Sequence, residues 1–212
     1  IRDRGKDSPG SRRRNMTAFL CIVLGYVLGS APWGLVIART FCGIDPRNDG
    51  SRNTGATNVA RLCGFRWGVL TLACDLGKGA LPVALALWLD LSPLLVTCVA
   101  LACVLGHVFS CFMGFRGGKA VATSIGVFLP LAFFPLLFSC AACVLVIWRS
   151  GFVSLGSLTL VTVLPFALLA ATKYAWVPLS LCIWALVVWK HKENIARLRA
   201  GTEKSWLKSR QK

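Results

Sequence analysis

Long runs of apolar residues, separated by short polar stretches, cover most of this 212-residue chain. The runs do not alternate apolar and polar positions as membrane barrel strands do, so they predict helices. Lipid accepts only helices or closed barrels, because unpaired backbone groups find no water there. We therefore predict an all-α integral membrane protein, a compact bundle of transmembrane helices with polar loops on the cytoplasmic side.

The apolar runs predict seven transmembrane helices. Most runs have the length of about 20 residues that a helix needs to cross a bilayer. The stretch 119–148 is too long for one helix, and Pro130 and Pro135 lie near its middle, so we divide it in two. The predicted helices cover residues 18–39, 67–89, 93–112, 119–130, 134–148, 154–171 and 175–190.

Composition supports a single membrane domain over residues 16–212. Hydrophobic residues make up 56% of the chain and charged residues 15%, whereas soluble domains carry about 25% charged residues. Residues 1–15 differ, because they hold six Lys or Arg residues and no apolar run. We expect them to be either a disordered basic tail or an upstream extension that the native protein lacks.

The net charge of +16 is informative through its placement. Basic residues cluster at the ends of apolar runs, which indicates membrane orientation and anion binding, not a nucleic-acid partner. With seven helices, the basic loops 39–66, 113–119 and 149–154 and the segment after Lys190 share one side. The positive-inside rule places this side in the cytoplasm and Met16 outside.

Residues 50–58, with the sequence GSRNTGATN, are the strongest candidate for a binding site. They are small and polar, contain no acidic residue, and lie between two apolar runs. Glycines let successive backbone N–H groups point into one concavity, where hydroxyls, amides and a guanidinium complete a site suited to an anion. The predicted substrate-binding residues of this loop are Gly50, Asn53, Thr54, Gly55, Thr57 and Asn58.

Two further polar segments share the predicted cytoplasmic face. Gly117-Gly118-Lys119 precedes a helix, so its amides and the helix N-terminus suit a phosphate. It is not a P-loop, since residues 113 and 120 do not match that motif. His191 and Asn194 are three residues apart, and we expect them on one face of a helix that continues out of the last span.

Several polar residues have alternative interpretations. His107 either bonds local carbonyls or takes part in catalysis, and Ser154 by itself suggests a helix N-cap. Asp75 and Lys78, spaced i and i+3 inside a span, are expected to neutralise each other rather than to carry protons. The ten cysteines lie mostly inside apolar runs, where packing is the favoured role over metal or redox chemistry.

At these positions the sequence resembles the bacterial acyl-phosphate:glycerol-3-phosphate acyltransferase family, usually called PlsY. The matching runs appear in the family's order and together cover essentially the whole chain from Met16. They are residues 25–34, 50–58, 75–79, 106–123 and 191–203. The sequence departs from the family's usual glycine at Arg52 and at Ala120.

The resemblance implies transfer of a fatty acyl group from acyl phosphate to the 1-hydroxyl of glycerol 3-phosphate, the first acylation of phospholipid synthesis. Its catalytic residues would be Ser51, Arg61, Lys119, His191 and Asn194. Further substrate-binding residues would be His107, Gly117, Gly118 and Ser154. The implied location is the bacterial inner membrane, and the implied partners include membrane lipid and the soluble enzyme that makes acyl phosphate.

Acyl phosphate is an activated mixed anhydride, so the reaction requires no enzyme nucleophile. We expect cationic groups to bring the two phosphate-bearing substrates together, and a phosphate oxygen of the donor to accept the proton of the attacking hydroxyl. We expect no cofactor, and because the chain has no carboxylate cluster for Mg²⁺ or Ca²⁺, no metal requirement. The alternatives are a small-anion transporter and a membrane scaffold that binds anionic lipid.

Overall fold

The computed structural model describes residues 9–206, and within that range all regular structure is helical. These described residues form ten α-helices. They are α1 (Pro9–Ser30), α2 (Trp33–Cys42), α3 (Ala56–Cys63), α4 (Phe65–Trp88), α5 (Pro93–Val108), α6 (Val121–Leu131), α7 (Phe133–Ser150), α8 (Val153–Ala170), α9 (Val177–Lys190) and α10 (Lys192–Arg199). Short 3₁₀ turns lie at Cys111–Met113 and Tyr174–Trp176. The all-helical prediction is confirmed for the described residues.

Five helical segments of the described chain are long and apolar enough to cross a membrane. They are Asn15–Cys42, Phe65–Trp88, Pro93–Met113, Phe133–Ser150 and Val153–Ala170. Two other predicted spans also form apolar helices, but Val121–Leu131 and Tyr174–Lys190 are shorter. Every predicted span is therefore helical, while the number of crossings remains a prediction.

The division of the stretch 119–148 into two helices is confirmed. Helix α6 ends at Leu131 and α7 begins at Phe133, and between them Ala132 has a non-helical φ of −157°. Pro135 lies in the first turn of α7, where its missing N–H leaves no helical hydrogen bond unmade. The break turns one overlong apolar run into two packed helices.

The first span differs from the prediction in its interior and at its N-terminal end. The predicted single helix over 18–39 is interrupted at Ala31 and Pro32, because the proline ring disfavours the helical conformation of the residue before it. The backbone of residues 9–15 continues α1 as helix, whereas the sequence predicted a disordered tail or an upstream extension there. Residues 1–8 of that tail lie outside the described part of the chain.

Close helix pairs build the bundle: α1 packs on α5, α4 on α6, and α7 on α8. Glycines allow the first two pairs to approach closely. A Cβ atom on Gly106 would lie 2.3 Å from the Tyr26 carbonyl oxygen, and one on Gly126 would lie 2.0 Å from that of Leu76. Small residues at helix crossings are typical of membrane proteins, whose helices associate by backbone contact.

The outer surface of the bundle is apolar. Trp88, Leu94 and Phe134 are 80%, 73% and 78% exposed. Exposed side chains of this size indicate contact with lipid, since soluble monomers rarely expose large apolar patches. The polar loops, α3 and α10 occupy one end of this bundle, where hydrogen bonds join Lys190 to Gly117 and Lys204 to Gly50.

Candidate active site

The polar loop 50–58 is folded around the side-chain amide of Asn58. The Nδ2 group of Asn58 donates to the carbonyl oxygens of Pro46, Asp49 and Asn53 at 2.9, 3.2 and 2.9 Å. Its Oδ1 atom accepts the backbone N–H of Ser51 at 2.8 Å. Asn58 is buried and its amide is fully engaged. The structure therefore places Asn58 in the interior of the loop, where it shapes the backbone, and its predicted contact with substrate stays a prediction.

Three other predicted ligands of this loop also have roles within it. The Oδ1 atom of Asn53 accepts the Gly55 N–H at 2.8 Å, which closes a tight turn. Thr54 is buried, and its carbonyl oxygen lies 1.8 Å from where a Cβ on Gly34 would be. Only glycine at position 34 permits this approach. The loop is thus pressed onto the first turn of α2.

Ser51 and Arg61 are the two predicted catalytic residues of this region. Ser51 is exposed, and Arg61 is half-buried in the last turn of α3. Neither the Ser51 hydroxyl nor the Arg61 guanidinium has a hydrogen-bond or ion-pair partner among residues 9–206. Thr57 is half-buried in the same helix, and Gly50 lies beside Asn58. The hydroxyl and the guanidinium are therefore available to a ligand.

The glycine loop before α6 differs from the prediction in its use of backbone amides. The Gly117 N–H donates to the Val108 carbonyl at 2.9 Å, and the Gly118 N–H donates to the His107 carbonyl at 3.1 Å. These two amides bond the last carbonyl oxygens of α5 and are therefore not free to hold a phosphate. Any anion at this loop must rely on Lys119 and on the first-turn amides of α6.

A hydrogen-bond network brings together three of the predicted site residues. Lys119 Nζ donates to Asn194 Oδ1, and Asn194 Nδ2 donates to Glu203 Oε1 at 2.5 Å. The Ser154 hydroxyl donates to the same Glu203 oxygen at 2.7 Å. Arg197 Nε donates to Glu203 Oε2 at 2.7 Å. The Glu203 carboxylate is thus the centre at which α8, α10 and the C-terminal segment meet.

The sequence reasoning missed Glu203 as a member of the site. The residue lay within the family-like run 191–203, but its spacing from the other residues gave no reason to single it out. Burial alone would raise the pKa of its carboxyl, yet the hydrogen bonds from Ser154, Asn194 and Arg197 lower it. Glu203 therefore stays ionised and holds these donors in place.

His191 lies next to this network at the junction of α9 and α10. The predicted continuous helix is interrupted at His191, which has φ −99° and ψ 8°. The imidazole is 2% exposed, and its Nδ1 lies 2.8 Å from the Val187 carbonyl oxygen. Because a carbonyl only accepts, Nδ1 carries the proton and Nε2 keeps its lone pair. His191 therefore presents a hydrogen-bond acceptor.

Burial and neighbouring charges set the protonation states of His191 and Lys119. Burial, reinforced by the nearby Lys119 charge, lowers the pKa of His191 to about 4, so the imidazole is neutral at pH 7. Burial, reinforced by Arg197, lowers the pKa of Lys119 to about 8. Lys119 therefore remains mostly cationic at neutral pH, in a poorly hydrated position where an anionic ligand would stabilise its charge.

His107 is buried beneath the glycine loop, away from the Glu203 network. Its Nδ1 lies 3.0 Å from the Thr123 hydroxyl, and its Nε2 would lie 2.3 Å from a Cβ on Gly118. The imidazole thus packs against the loop backbone. This geometry fits the alternative in which His107 bonds its local surroundings.

The C-terminal segment after α10 contacts both the 50–58 loop and the loop that precedes α8. Lys204 Nζ donates to the Gly50 carbonyl at 3.0 Å, and the Trp206 N–H donates to the Gly151 carbonyl at 2.8 Å. Glu203 lies between these contacts along the chain. The segment thereby connects the 50–58 loop with Ser154, Asn194 and Lys119.

Among the non-glycine residues of these loops, Phe115 has φ 61°, and two further positions are strained in the same way. Arg52 has φ 52° and Ala120 has φ 61°, in the left-handed region that favours glycine. These are the two positions where the resemblance implies glycine. The conformation of both loops is therefore adopted here without the residue that suits it best.

The chain was compared with known proteins. Residues 19–201 match a family model described as glycerol-3-phosphate acyltransferase. The chain is 74% identical over 197 residues to the glycerol-3-phosphate acyltransferase of Desulfovibrio desulfuricans, covering 93% of this chain and 88% of that protein. It is 55% identical over 188 residues to the protein of the same name from Lawsonia intracellularis, covering 89% and 95%.

Two crystal structures of PlsY, an integral membrane glycerol 3-phosphate acyltransferase, resemble the fold. The glycerol 3-phosphate form has a TM-score of 0.86 and 37% identity, over 89% of this chain and 95% of the other. The lysophosphatidic acid form has a TM-score of 0.84 and 34% identity, over 92% and 100%.

Proposed function

Because this chain belongs to the glycerol-3-phosphate acyltransferase family, we propose that it transfers a fatty acyl group from acyl phosphate to the 1-hydroxyl of glycerol 3-phosphate. The products are 1-acylglycerol 3-phosphate and inorganic phosphate. That the chain is an acyltransferase and a multi-pass membrane protein follows from its relatives. The identity of the donor, the site residues and the cytoplasmic orientation are the proposed parts.

The observation that carries the proposal is the position of Lys119 within the Glu203 network. Its side chain is half-buried, its ammonium group bonds Asn194, and it lies near His191 at the loop end of the bundle. A half-buried cation suits a phosphate, which offers several acceptor oxygens. Arg61, whose guanidinium has no partner among residues 9–206, supplies a second cation for a substrate pair that carries two phosphates.

The chemistry needs little more than these groups. The 1-hydroxyl oxygen attacks the carbonyl carbon of acyl phosphate, a new C–O bond forms, and the bond from that carbon to the phosphate oxygen breaks. Lys119 stabilises the charge on the departing phosphate, and holding both substrates in place makes the attack effectively intramolecular. The hydroxyl proton passes to a phosphate oxygen of the donor.

His191 supports the substrate-assisted route. A pKa of about 4 makes Nε2 a weak proton acceptor, although it remains a good hydrogen-bond acceptor. In the proposed reaction, Nε2 accepts a hydrogen bond from the glycerol hydroxyl and orients its oxygen toward the carbonyl carbon. The Val187 carbonyl fixes the tautomer that this role requires.

The donor's tail determines how it reaches the site. An acyl chain prefers lipid to water, so we expect it to enter laterally between helices while its phosphate lies among the loops. Acyl phosphate would come from a soluble enzyme on the same side of the membrane. We place that side in the cytoplasm because the loops of the site carry most of the basic residues.

A donor comparison tests the proposed function. Purified enzyme in detergent would be supplied with glycerol 3-phosphate and, in parallel, acyl phosphate, acyl-CoA or acyl-carrier protein of one chain length. We expect 1-acylglycerol 3-phosphate from acyl phosphate alone, with one phosphate released per product. Efficient use of either thioester without acyl phosphate would contradict the assignment of the donor.

A labelling experiment tests the orientation. Single cysteines would be introduced at the exposed Ser51 and at the exposed Lys173, in a background lacking the natural exposed cysteines, and treated with an impermeant thiol reagent in intact cells. We expect modification at position 173 only. Modification at position 51 in intact cells would place the loops on the outer side.

A further inference from the structure

Beneath the two loops lies a buried ion pair that the reaction described above does not use. Asp75 Oδ1 and Lys78 Nζ on α4 are 2.8 Å apart, and their side chains are 3% and 4% exposed. The pairing predicted from their i, i+3 spacing is confirmed. Burying two charges costs desolvation energy, so such a pair is weak evidence of a role in stability alone.

Lys78 connects this pair to the first loop. Its Nζ also donates to the Ala31 carbonyl at 2.8 Å, at the break between α1 and α2. Helix α2 begins two residues later, and its Gly34 is in backbone contact with Thr54 of the 50–58 loop. Lys78 therefore fixes the start of α2, against which the loop that contains Ser51 packs.

His107 connects the pair to the second loop. Its Nδ1 lies 3.9 Å from Asp75 Oδ1 and 3.0 Å from the Thr123 hydroxyl. Its carbonyl accepts the Gly118 N–H, and its ring packs against Gly118. His107 thus contacts residues on both sides of Lys119, one before it and one in the first turn of α6.

A narrow gap, too small to hold a water molecule, lies where the two loops approach these residues. It is lined by Asp75, Lys78 and His107 together with Thr54 of the first loop and Gly118 of the second. The ion pair therefore lies at the point where both loops are supported, and a shift of either charge would be felt in both.

We infer that Asp75, Lys78 and His107, here called the buried triad, are positioning residues that fix Lys119 and the 50–58 loop relative to each other. The inference rests on the proposed function, in which groups from both loops hold the two substrates. Misplacing reacting groups by about 1 Å can cost about 100-fold in rate. Lys78→Met should therefore lower kcat/KM for glycerol 3-phosphate about 10- to 100-fold.

Stability must be separated from positioning. All constants are to be expressed per folded enzyme, measured from the monodisperse fraction in detergent. Leu168→Ala is the matched control, because it opens a cavity at a fully buried position near the end of α8 remote from Ser154. We expect Leu168→Ala to lower thermal stability and leave kcat and KM unchanged. If Lys78→Met behaves in the same way, the inference is overturned.

The double variant Asp75→Asn/Lys78→Met removes both charges and so leaves no unpaired buried ion. It serves if either single variant fails to fold. We expect it to fold better than the single variants and still to show the fall in kcat/KM. Wild-type constants in this folded double variant would overturn the inference.

The route through His107 has its own test. If Lys78 acts on the second loop partly through His107, the effects of Lys78→Met and His107→Asn on kcat/KM should be less than multiplicative. Multiplicative effects would overturn a linked triad.

Glycerol 3-phosphate binding, measured by calorimetry without donor, separates this inference from the donor assignment. We expect weaker binding in Lys78→Met even if acyl phosphate proves not to be the donor, and unchanged binding together with unchanged kcat/KM contradicts the triad.

Discussion

The ammonium group of Lys119 and the side-chain oxygen of Asn194 share a hydrogen bond across 75 residues of sequence. The amide nitrogen of Asn194 is in turn bound to Glu203, which also accepts from Ser154 and Arg197. The cation proposed to bind phosphate is therefore oriented by a carboxylate that is not expected to touch substrate.

Loss of the Lys119 charge should nearly abolish turnover. Replacing Lys119 by Met removes a donor aimed at the departing phosphate, and such a donor is worth about 100- to 1,000-fold in kcat. Asn194→Ala should cost less, because it frees the ammonium group but leaves its charge. Initial rates per folded enzyme measure both effects. Lys192→Met, at an exposed position of α10, is the matched control and should retain full activity. Equal rates for Lys119→Met and this control would rule out the role of Lys119.

The pH profile should report the titration of Lys119. Because its pKa lies at about 8 and the cation binds phosphate, kcat/KM for glycerol 3-phosphate should fall as pH rises through 8. Lys119→Arg keeps its charge over this range, so the fall should be absent in that variant. A descending limb near pH 8 in both proteins would assign it to another group.

The same pKa predicts a stability change of opposite direction. The unfolded chain holds the Lys119 proton up to about its ordinary pKa of 10.5, whereas the folded state releases it near 8. Between these values the unfolded state binds more protons, so this group makes folding more favourable as pH rises. Thermal unfolding in detergent, compared between wild type and Lys119→Met, isolates that contribution.

Replacement of His191 should distinguish the two routes for proton removal. His191→Asn retains a side-chain N–H that can reach the Val187 carbonyl but removes Nε2. We expect kcat to fall by less than about 100-fold, with no recovery between pH 7 and 9, because a phosphate oxygen takes the proton. His107→Asn, measured alongside, tests the other histidine. A larger fall that a more basic pH rescues would make the substituted histidine the general base.

Glycine at positions 52 and 120, where the backbone is strained, should stabilise the protein. Ala120→Gly and Arg52→Gly each relieve the strain of a left-handed backbone in the folded state. This gain in folding free energy should exceed the cost of the extra entropy that glycine gives the unfolded chain, by about 0.5–1 kcal/mol. Thermal midpoints in detergent should rise accordingly. Ala142→Gly, within α7, is the matched control and should lower the free energy of unfolding by about 1 kcal/mol. A lower midpoint for Ala120→Gly would show that its methyl group matters more than the strain.

Activity should not depend on a divalent cation. The proposed site neutralises phosphate with Lys119 and Arg61, so we expect the full rate in excess chelator. Added Mg²⁺ should not raise the rate of the purified enzyme. Loss of activity in chelator, restored by Mg²⁺ or Ca²⁺, would require a different account of how the two phosphates are neutralised.

The sequence predicted the helical elements well because lipid imposes a local rule. Backbone groups in hydrocarbon must bond within their own helix, so apolar run length and proline positions largely decide where helices lie. The break at Ala132 and the Asp75–Lys78 pair both follow from residues close in the chain. The break at Ala31 is equally local, because this residue precedes Pro32.

The candidate site was predictable only in part. The residue types at 50–58, 117–119 and 191–194 indicated anion chemistry, since small polar and basic residues between apolar runs are rarely needed for packing. Their individual roles were not readable in this way. The sequence predicts Asn58 and the Gly117 and Gly118 amides as ligand contacts, whereas in the structure they bond within the protein and shape the loops.

The sequence by itself determined a helical membrane bundle with polar, cationic loops, because hydropathy and local backbone preference act over a few residues. Only the tertiary structure decided that Glu203 joins Ser154, Asn194 and Arg197, and that Lys204 reaches the 50–58 loop. Those contacts link residues up to 154 positions apart. The side chains that meet at the end of a bundle depend on how its helices pack, which no short stretch of sequence encodes.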